Sequence, residues 1–567
     1  MRTMIESLEP RRLLSAKVVP APPPVSSLAL SVSDVQTILA QAGSQAMGSQ
    51  AIVVVDREGS ILGMFGGSQL GTTDPISQQI FTDAVARART AAFFESTGEA
   101  FSSRTARFII EDHFPWPIRN TPGGPLYGVE FSSLVNSNVL LPSTTPAISG
   151  DPGGIPLFIN GIPVGGIGVA GDFHDLAARP DFVRFTQSPY DANPKGLIYE
   201  GQEEKDFDEA VALAGAKGYL PPPAIRANQI FIDGLRLPFV AEAPASGRPA
   251  QTFSQLVTYG SESLRADPAL DHNSAAIVAG EPEKNNFIIN ANANGVPVSV
   301  PGLLRMHSNV GKTDPESSDP IVGSSLNQSE NLTAADVLQI ITQAVSQAIV
   351  TRAGIRKPNG VNAVVHVAVV DTQGNVLGVF RMNDGTNFSY DVAVQKARTA
   401  AFFSDNQHAF SSRAIGFMSQ LDFPVGIPHD RGPLFQLQDS MDVNMAPGVL
   451  NPNLTNTPLG DGITIFPGGF PLYKNGVLVG GIGISGDGVD QDDIIGYAGT
   501  AGFRPARSIE SDQLTSHDIA NFIDTKVAQI NAMAGISFDI STTGERILKG
   551  LAKFRLPYVK FPRNPEH

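Results

Sequence analysis

The feature that most constrains this chain is that its sequence runs through the same order of motifs twice. "ARTAAFF" stands at 88–94 and 397–403, "AFSSR" at 100–104 and 409–413, and "VGGIG" at 164–168 and 479–483, while "RLPFV" at 236–240 is matched by "RLPYV" at 555–559. The offsets of 309, 309, 315 and 319 keep one order, so the repeating unit is a whole domain and not a solenoid module. We read a leader or targeting segment over 1–25, domain 1 over 26–243, a connector over 244–328 and domain 2 over 329–563. The connector is rich in Ser, Asn, Gly and Pro and reads as a long, partly ordered linker.

Each unit carries the same sequence of local signals. "LSVSDVQTILAQAGSQA" and "LTAADVLQIITQAVSQAIV" predict amphipathic helices capped by Ser31 or Thr333, with Asp34 or Asp336 in the capping-box position. "AIVVVDREGSILGMF" and "AVVHVAVVDTQGNVLGVF" predict two strands around a Gly turn, with Asp56 and Asp371 as turn formers. An Ala-rich helix follows, then a hairpin set by Asn160–Gly161 or Asn475–Gly476, then a closing helix with acidic residues in its first turn. Such an order predicts an α+β fold of α/β/α layers, with helices covering an antiparallel sheet.

Composition narrows the function. With 55 acidic against 40 basic residues and a formal charge of −15, the chain repels phosphate backbones, which argues against nucleic acid as a partner. It contains no cysteine, which excludes disulfides, thiolate nucleophiles and Cys-ligated metals. No stretch reaches the roughly 20 apolar residues of a transmembrane segment. No Ser–His–Asp order, zinc spacing or P-loop supports hydrolase chemistry.

"VGGIGVAG" (164–171) and "VGGIGISG" (479–486) each spell G-x-G-x-x-G. A dinucleotide fingerprint needs its glycines in a strand-to-helix turn of a parallel unit, whereas these lie inside the second strand of an antiparallel hairpin. No NAD or FAD is therefore expected. Gly166, Gly168, Gly481 and Gly483 instead predict a close approach to the strand by a helix, a side chain or a flat ligand.

With these residues in view, both units resemble the GlcG/HbpS family. The second carries the fuller pattern, in "VAVVDTQGNVLGVFRM", "DVAVQKARTAAFF", "FPGGFPLYKNGVLVGGIGISG" and "DQDDIIGYAG". The resemblance implies two tandem profilin-like domains, each with an antiparallel sheet of about five strands, and binding of haem or a related tetrapyrrole. Haem degradation or iron sequestration would follow from that membership, and whether the chain is an enzyme stays open. The alternative is a non-catalytic assembly or small-ligand-binding module at the cell surface, either a homo-oligomer or an internal pseudo-dimer. "LEPRRLLSA" (8–16) resembles the leader of exported or surface proteins of planctomycete-type bacteria, which implies an exported, soluble protein.

The resemblance also names residues. It implies that Thr399 and Thr90 are oxygen ligands or distal donors, and that Arg398, Lys396 and Arg89 meet propionates; the alternative is simple helix packing with solvated basic residues. His366 sits in a strand and reads as an iron ligand or as an edge or solvent-facing histidine, and its first-unit counterpart is Ala51. His113 and His429 lie in Pro-rich loops. Asp492 with Asp493, like Asp208 with Glu209, reads either as a helix-dipole partner or as a metal site. The first unit departs from the family pattern in having Gly66 and Gly67 where the second has Arg381 and Met382, and in an insertion before its last helix.

Overall fold

In a computed structural model of the chain, the described residues are 28–71, 74–109, 124–125, 149–172, 206–232, 234–259, 276–306, 331–420, 423, 432–435, 459, 463–534 and 555–559. The leader, His113 and His429 lie outside them.

The first half begins with α1 (Val32–Gly43), closed at its N-terminus by a capping box in which Ser31 and Asp34 each accept the other's backbone N–H. Strands β1 (Ala51–Asp56) and β2 (Ile61–Gly66) follow around a turn in which Asp56 Oδ1 accepts the backbone N–H groups of Glu58 and Ser60. Then come α2 (Pro75–Phe93), α3 (Ser103–Ile109), the hairpin β3 (Gly154–Ile159) and β4 (Ile162–Ala170), and α4 (Phe207–Gly215). The hairpin turn has Asn160 at φ 53° and Gly161 at φ 80°, the pair of positive values that Asn-Gly supplies at least cost.

The four strands form an antiparallel sheet in the order β2-β1-β4-β3. Alternation divides its residues between two cores. Ile52, Val54, Ile167 and Val169 pack with Val35 and Ile38 of α1 and Val211 of α4, while Ala51, Val53 and Val55 pack with Phe81, Ala84 and Val85 of α2.

After the hairpin β5 (Phe287–Ala293) and β6 (Val296–Met306), the second half repeats the plan. It has α5 (Ala334–Ala348), β7 (Val365–Val370), β8 (Val376–Met382), α6 (Phe388–Phe402), α7 (Ser412–Met418), β9 (Gly469–Lys474), β10 (Val477–Gly486) and α8 (Val489–Gly499). A further helix, α9 (Ser516–Ala534), follows. Here the sheet has six strands in the order β9-β10-β7-β8-β6-β5.

The two sheets thus have four and six strands where the family resemblance implies about five in each. The difference comes from the connector, whose ordered hairpin pairs β6 with β8. Earlier in the connector, the chain lies against the first half, with Val278 N–H donating to Leu62 O and Gly280 N–H to Leu30 O. Among the described residues no helix is long and apolar enough to cross a membrane.

One apolar core crosses the boundary between the halves. Phe81, Phe94 and Phe101 from the first belong to the same buried cluster as Phe388, Val392 and Phe410 from the second. Phe94 stacks on Phe388 with ring centroids 4.0 Å apart.

Candidate functional site

The strand glycines are filled by helix. A Cβ on Gly168 would stand 2.0 Å from Ala84 O, and one on Gly166 would stand 2.3 Å from Ala88 O of α2. In the second half a Cβ on Gly483 would meet Ala393 O at 1.9 Å and one on Gly481 would meet Ala397 O at 2.3 Å, both on α6. The missing side chains let the helix backbone rest on the strand, which leaves no slot there for a ring.

The identical "ARTAAFF" segments hold the fold in the same way in both halves. Thr90 Oγ1 donates to Ala86 O and accepts from Ser149 N–H, while Thr399 Oγ1 accepts from Thr464 N–H. Arg89 Nε donates to Gly59 O and Arg398 Nε to Gly374 O, so each arginine fastens the turn between its two central strands. Burial pulls Arg398 down to about 10.

Each residue of the two acidic pairs has a basic partner of its own, and in the first half Asp208 also lies with Asp172 and Asp206, one carboxylate oxygen of each within 4.8 Å of the others. Asp492 is bonded by Lys396 at 2.8 Å and Asp493 by Arg413 at 2.8 Å. Asp208 is bonded by Arg87 at 2.9 Å and Glu209 by Arg104 at 2.7 Å, the equivalent residues of the first half. Burial lifts Asp492 to about 6 and lowers Lys396. The basic partners Arg104 and Arg413 lie in the repeated "AFSSR", a motif with no local signal of their role.

His366 is neither at an edge nor facing solvent. It is fully buried in β7 between Arg381 of β8 and Ser485 of β10, and neither ring nitrogen has a hydrogen-bond partner among the described residues. Burial first, then the charges of Arg381 and Arg57, hold it well below its ordinary pKa and therefore neutral. The first half has Ala51, Gly66 and Ala170 in that row.

What local sequence could not show is a cavity of about 500 Å³ between the halves. Phe94, Phe101 and Glu99 of the first half line it together with Phe388, Phe417 and Phe466 of the second, and Lys396, Arg413, Asp490 and Asp492 add charge to its wall. Of the residues singled out in the sequence, Lys396 and Asp492 are on this lining. Thr399, Arg398, His366, Thr90, Arg89 and the strand glycines are not.

Beside the cavity lies a buried ionic hub. Arg356 bonds Asp384 at 2.6 Å and Asp487 at 2.5 Å, and it reaches Glu99 of the first half at 3.6 Å. Thr97 Oγ1 donates to Asp384 at 2.6 Å, and Arg381 pairs with Glu58 at 2.9 Å, so charge crosses the boundary in both directions. Glu283 of the connector pairs with both Arg57 and Arg381. Burial raises Asp384, but Arg356 and Arg57 bring it below its usual value.

Burial pushes Glu99 up to about 8, aided by the negative charge of Asp487. A carboxyl whose folded pKa lies above its unfolded one contributes stability that is full below the unfolded value and lost as pH rises through the folded value. Stability is therefore expected to fall between about pH 4.5 and about 8, by up to ~1.4 kcal/mol per pH unit for this group. Glu99→Gln should flatten that slope in urea titrations across the window. A slope identical to that of the parent protein would count against the assignment.

Comparison with known proteins places this geometry. The sequence model of the family described as "Haem degrading protein HbpS-like" matches residues 332–501. An uncharacterised 15.0 kDa protein of the dhaT-dhaS intergenic region of Citrobacter freundii is 30% identical over 135 residues, covering 24% of this chain and 72% of that protein. The chain belongs to the HbpS-like family. The corrinoid adenosyltransferase PduO of Salmonella typhimurium is 29% identical over 142 residues, 25% of this chain, and the match spans only 33% of that enzyme. A crystal structure of a PduOC:heme complex is 24% identical, covers 31% of this chain and 96% of its own, and has a TM-score of 0.21. The matched HbpS-like segment includes Lys396, Arg413, Asp492 and Asp493, the acid–base pairs on and behind the cavity wall.

Proposed function

We propose that the cavity between the halves binds haem or a related tetrapyrrole, and that the first half is a second, modified copy of the HbpS-like unit. The lining carries the proposal. Phenyl rings contributed by both halves suit the faces of a flat, largely apolar ring. Lys396 and Arg413, the cations on the wall, are already paired with Asp492, Asp490 and Asp493, so the ring faces carry the reading. The volume lies within the range of small-molecule sites. The family's description as haem degrading points the same way. The tandem reading is supported by the shared strand order and by the acid–base pairs recurring at equivalent positions.

Among the described lining residues there is no histidine, methionine or tyrosine. A tetrapyrrole would be held there by the phenyl rings, with no iron ligand from the described lining. Export is proposed on the leader's resemblance alone.

Titrating the full chain with hemin should give a saturable Soret change. Phe94→Ala and Phe466→Ala should each weaken binding about tenfold, equivalent to about 1.4 kcal/mol of lost ring contact. A spectrum that never saturates in the parent protein rules the proposal out. The core shared by the two halves favours one second reading, a purely structural pair, which predicts a well-folded protein indifferent to hemin.

A further inference from the structure

The two halves meet head to tail. The first half offers its β1–β2 turn and the segment after α2, through Arg57, Glu58, Thr97 and Glu99. The second offers the segment after β8, in which residues 383–390 are all buried. A head-to-tail contact leaves one unused face at each end of the pair, and such faces allow growth into rings or filaments unless something closes them.

At the free tail of the first half, several described residues after β2 face outward. Ser68, Gln69, Ile76 and Gln78 are exposed, with Ile76 at 63%. At the head of the second half, the positions equivalent to Arg57, Glu58, Glu95 and Glu99 are Thr372, Gln373, Ser404 and His408. All four line one groove of about 830 Å³, and its other wall is α9. Phe522 of α9 stacks on Phe410 with centroids 5.3 Å apart and on His408 at 4.4 Å, and Lys526 Nζ lies 4.9 Å from the centre of the Phe402 ring. Phe410 is the counterpart of Phe101, which in the first half faces the tail across the cavity.

We propose that α9 is a built-in cap. It occupies on the second half the face by which the first half docks, and when it is displaced that face takes the exposed tail of a second chain's first half. The chemistry of the two free faces agrees. The head has lost the arginine and glutamates of the internal contact, and the tail has lost their partners, with Gly66 standing for Arg381 and Gln69 for Asp384. The intermolecular contact would therefore bury no orphaned Arg57-like or Asp384-like charge; the carboxylates left near it, Asp405 and Asp74, are exposed enough to stay at its rim, and Ile76 would supply the apolar hold.

Light scattering of the full chain tests this. Phe522→Asp should raise the average mass at least twofold as concentration increases, while the parent chain stays at the mass of one chain. Lys526→Glu, at a half-buried site where folding is less at risk, should act in the same direction with a smaller rise. Adding Ile76→Asp to either variant should return the mass to one chain. Both variants staying monomeric at every concentration overturns the cap. Association that Ile76→Asp leaves unchanged overturns the assigned partner face.

Discussion

Arg356→Ala is expected to lower stability by about 3–5 kcal/mol, the usual cost of removing one member of a buried ionic group. The guanidinium bonds Asp384 and Asp487 and faces Glu99, all buried, so its loss strands several carboxyls in a low-dielectric site. Because Glu99 belongs to the other half, the damage should concentrate at the boundary, and urea unfolding of the variant should separate into two transitions further apart than any in the parent. Arg356→Lys should recover only part of the loss, since an ammonium cannot present the planar fork that reaches several carboxylates. Lys284 is a useful control. It and its partner Glu281 are 70% and 66% exposed, and Lys284→Ala should change stability by no more than about 1 kcal/mol. Equal losses at Arg356 and Lys284 would contradict the burial argument.

Gly483→Ala should be comparably severe. Its new methyl would lie 1.9 Å from Ala393 O, a backbone atom that can yield only if the whole helix moves. A cost of about 3–5 kcal/mol is expected, at the upper end for a single substitution, with Gly168→Ala matching it in the first half. Gly476→Ala separates packing from backbone strain. It has nothing within 4 Å and a φ of 80°, so it should cost only about 1–2 kcal/mol. If Gly476→Ala proved as damaging as Gly483→Ala, close helix approach would not be what the strand glycines are for.

These residues also show what could be read from the chain alone. Ser31 with Asp34, Thr333 with Asp336 and the two Asn-Gly turns act within four residues of themselves, so their chemistry is written locally and the structure agrees with it. The same holds for placing the G-x-G-x-x-G glycines in the second strand of a hairpin, because the Asn-Gly turn sits beside them. The partners of Asp492 and Asp493 were not legible, since Lys396 and Arg413 come from helices more than 70 positions away and only folding brings them in. The connector reads from the sequence as partly ordered, but the form of its ordered part was not legible, for a related reason. "FIINANANGVPVSV" contains an Asn-Gly turn between alternating residues, yet its loop-like surroundings masked a hairpin whose partner strand, β8, lies far along the sequence. His366 was misplaced because a single strand cannot reveal that its row also holds Arg381 and Ser485. The cavity depends on how two bodies sit together, which no local pattern encodes.

The ordered connector has a kinetic consequence. It is fastened to the first half as far as Glu281 and to the second from Asn285, with Glu283 between them paired to both Arg57 and Arg381, so only a few residues bridge the gap. A tether that short keeps separated faces at an effective concentration on the order of millimolar. Any opening of the boundary is then followed by unimolecular recapture, and a tetrapyrrole held there would escape only in the brief interval before the halves find each other again.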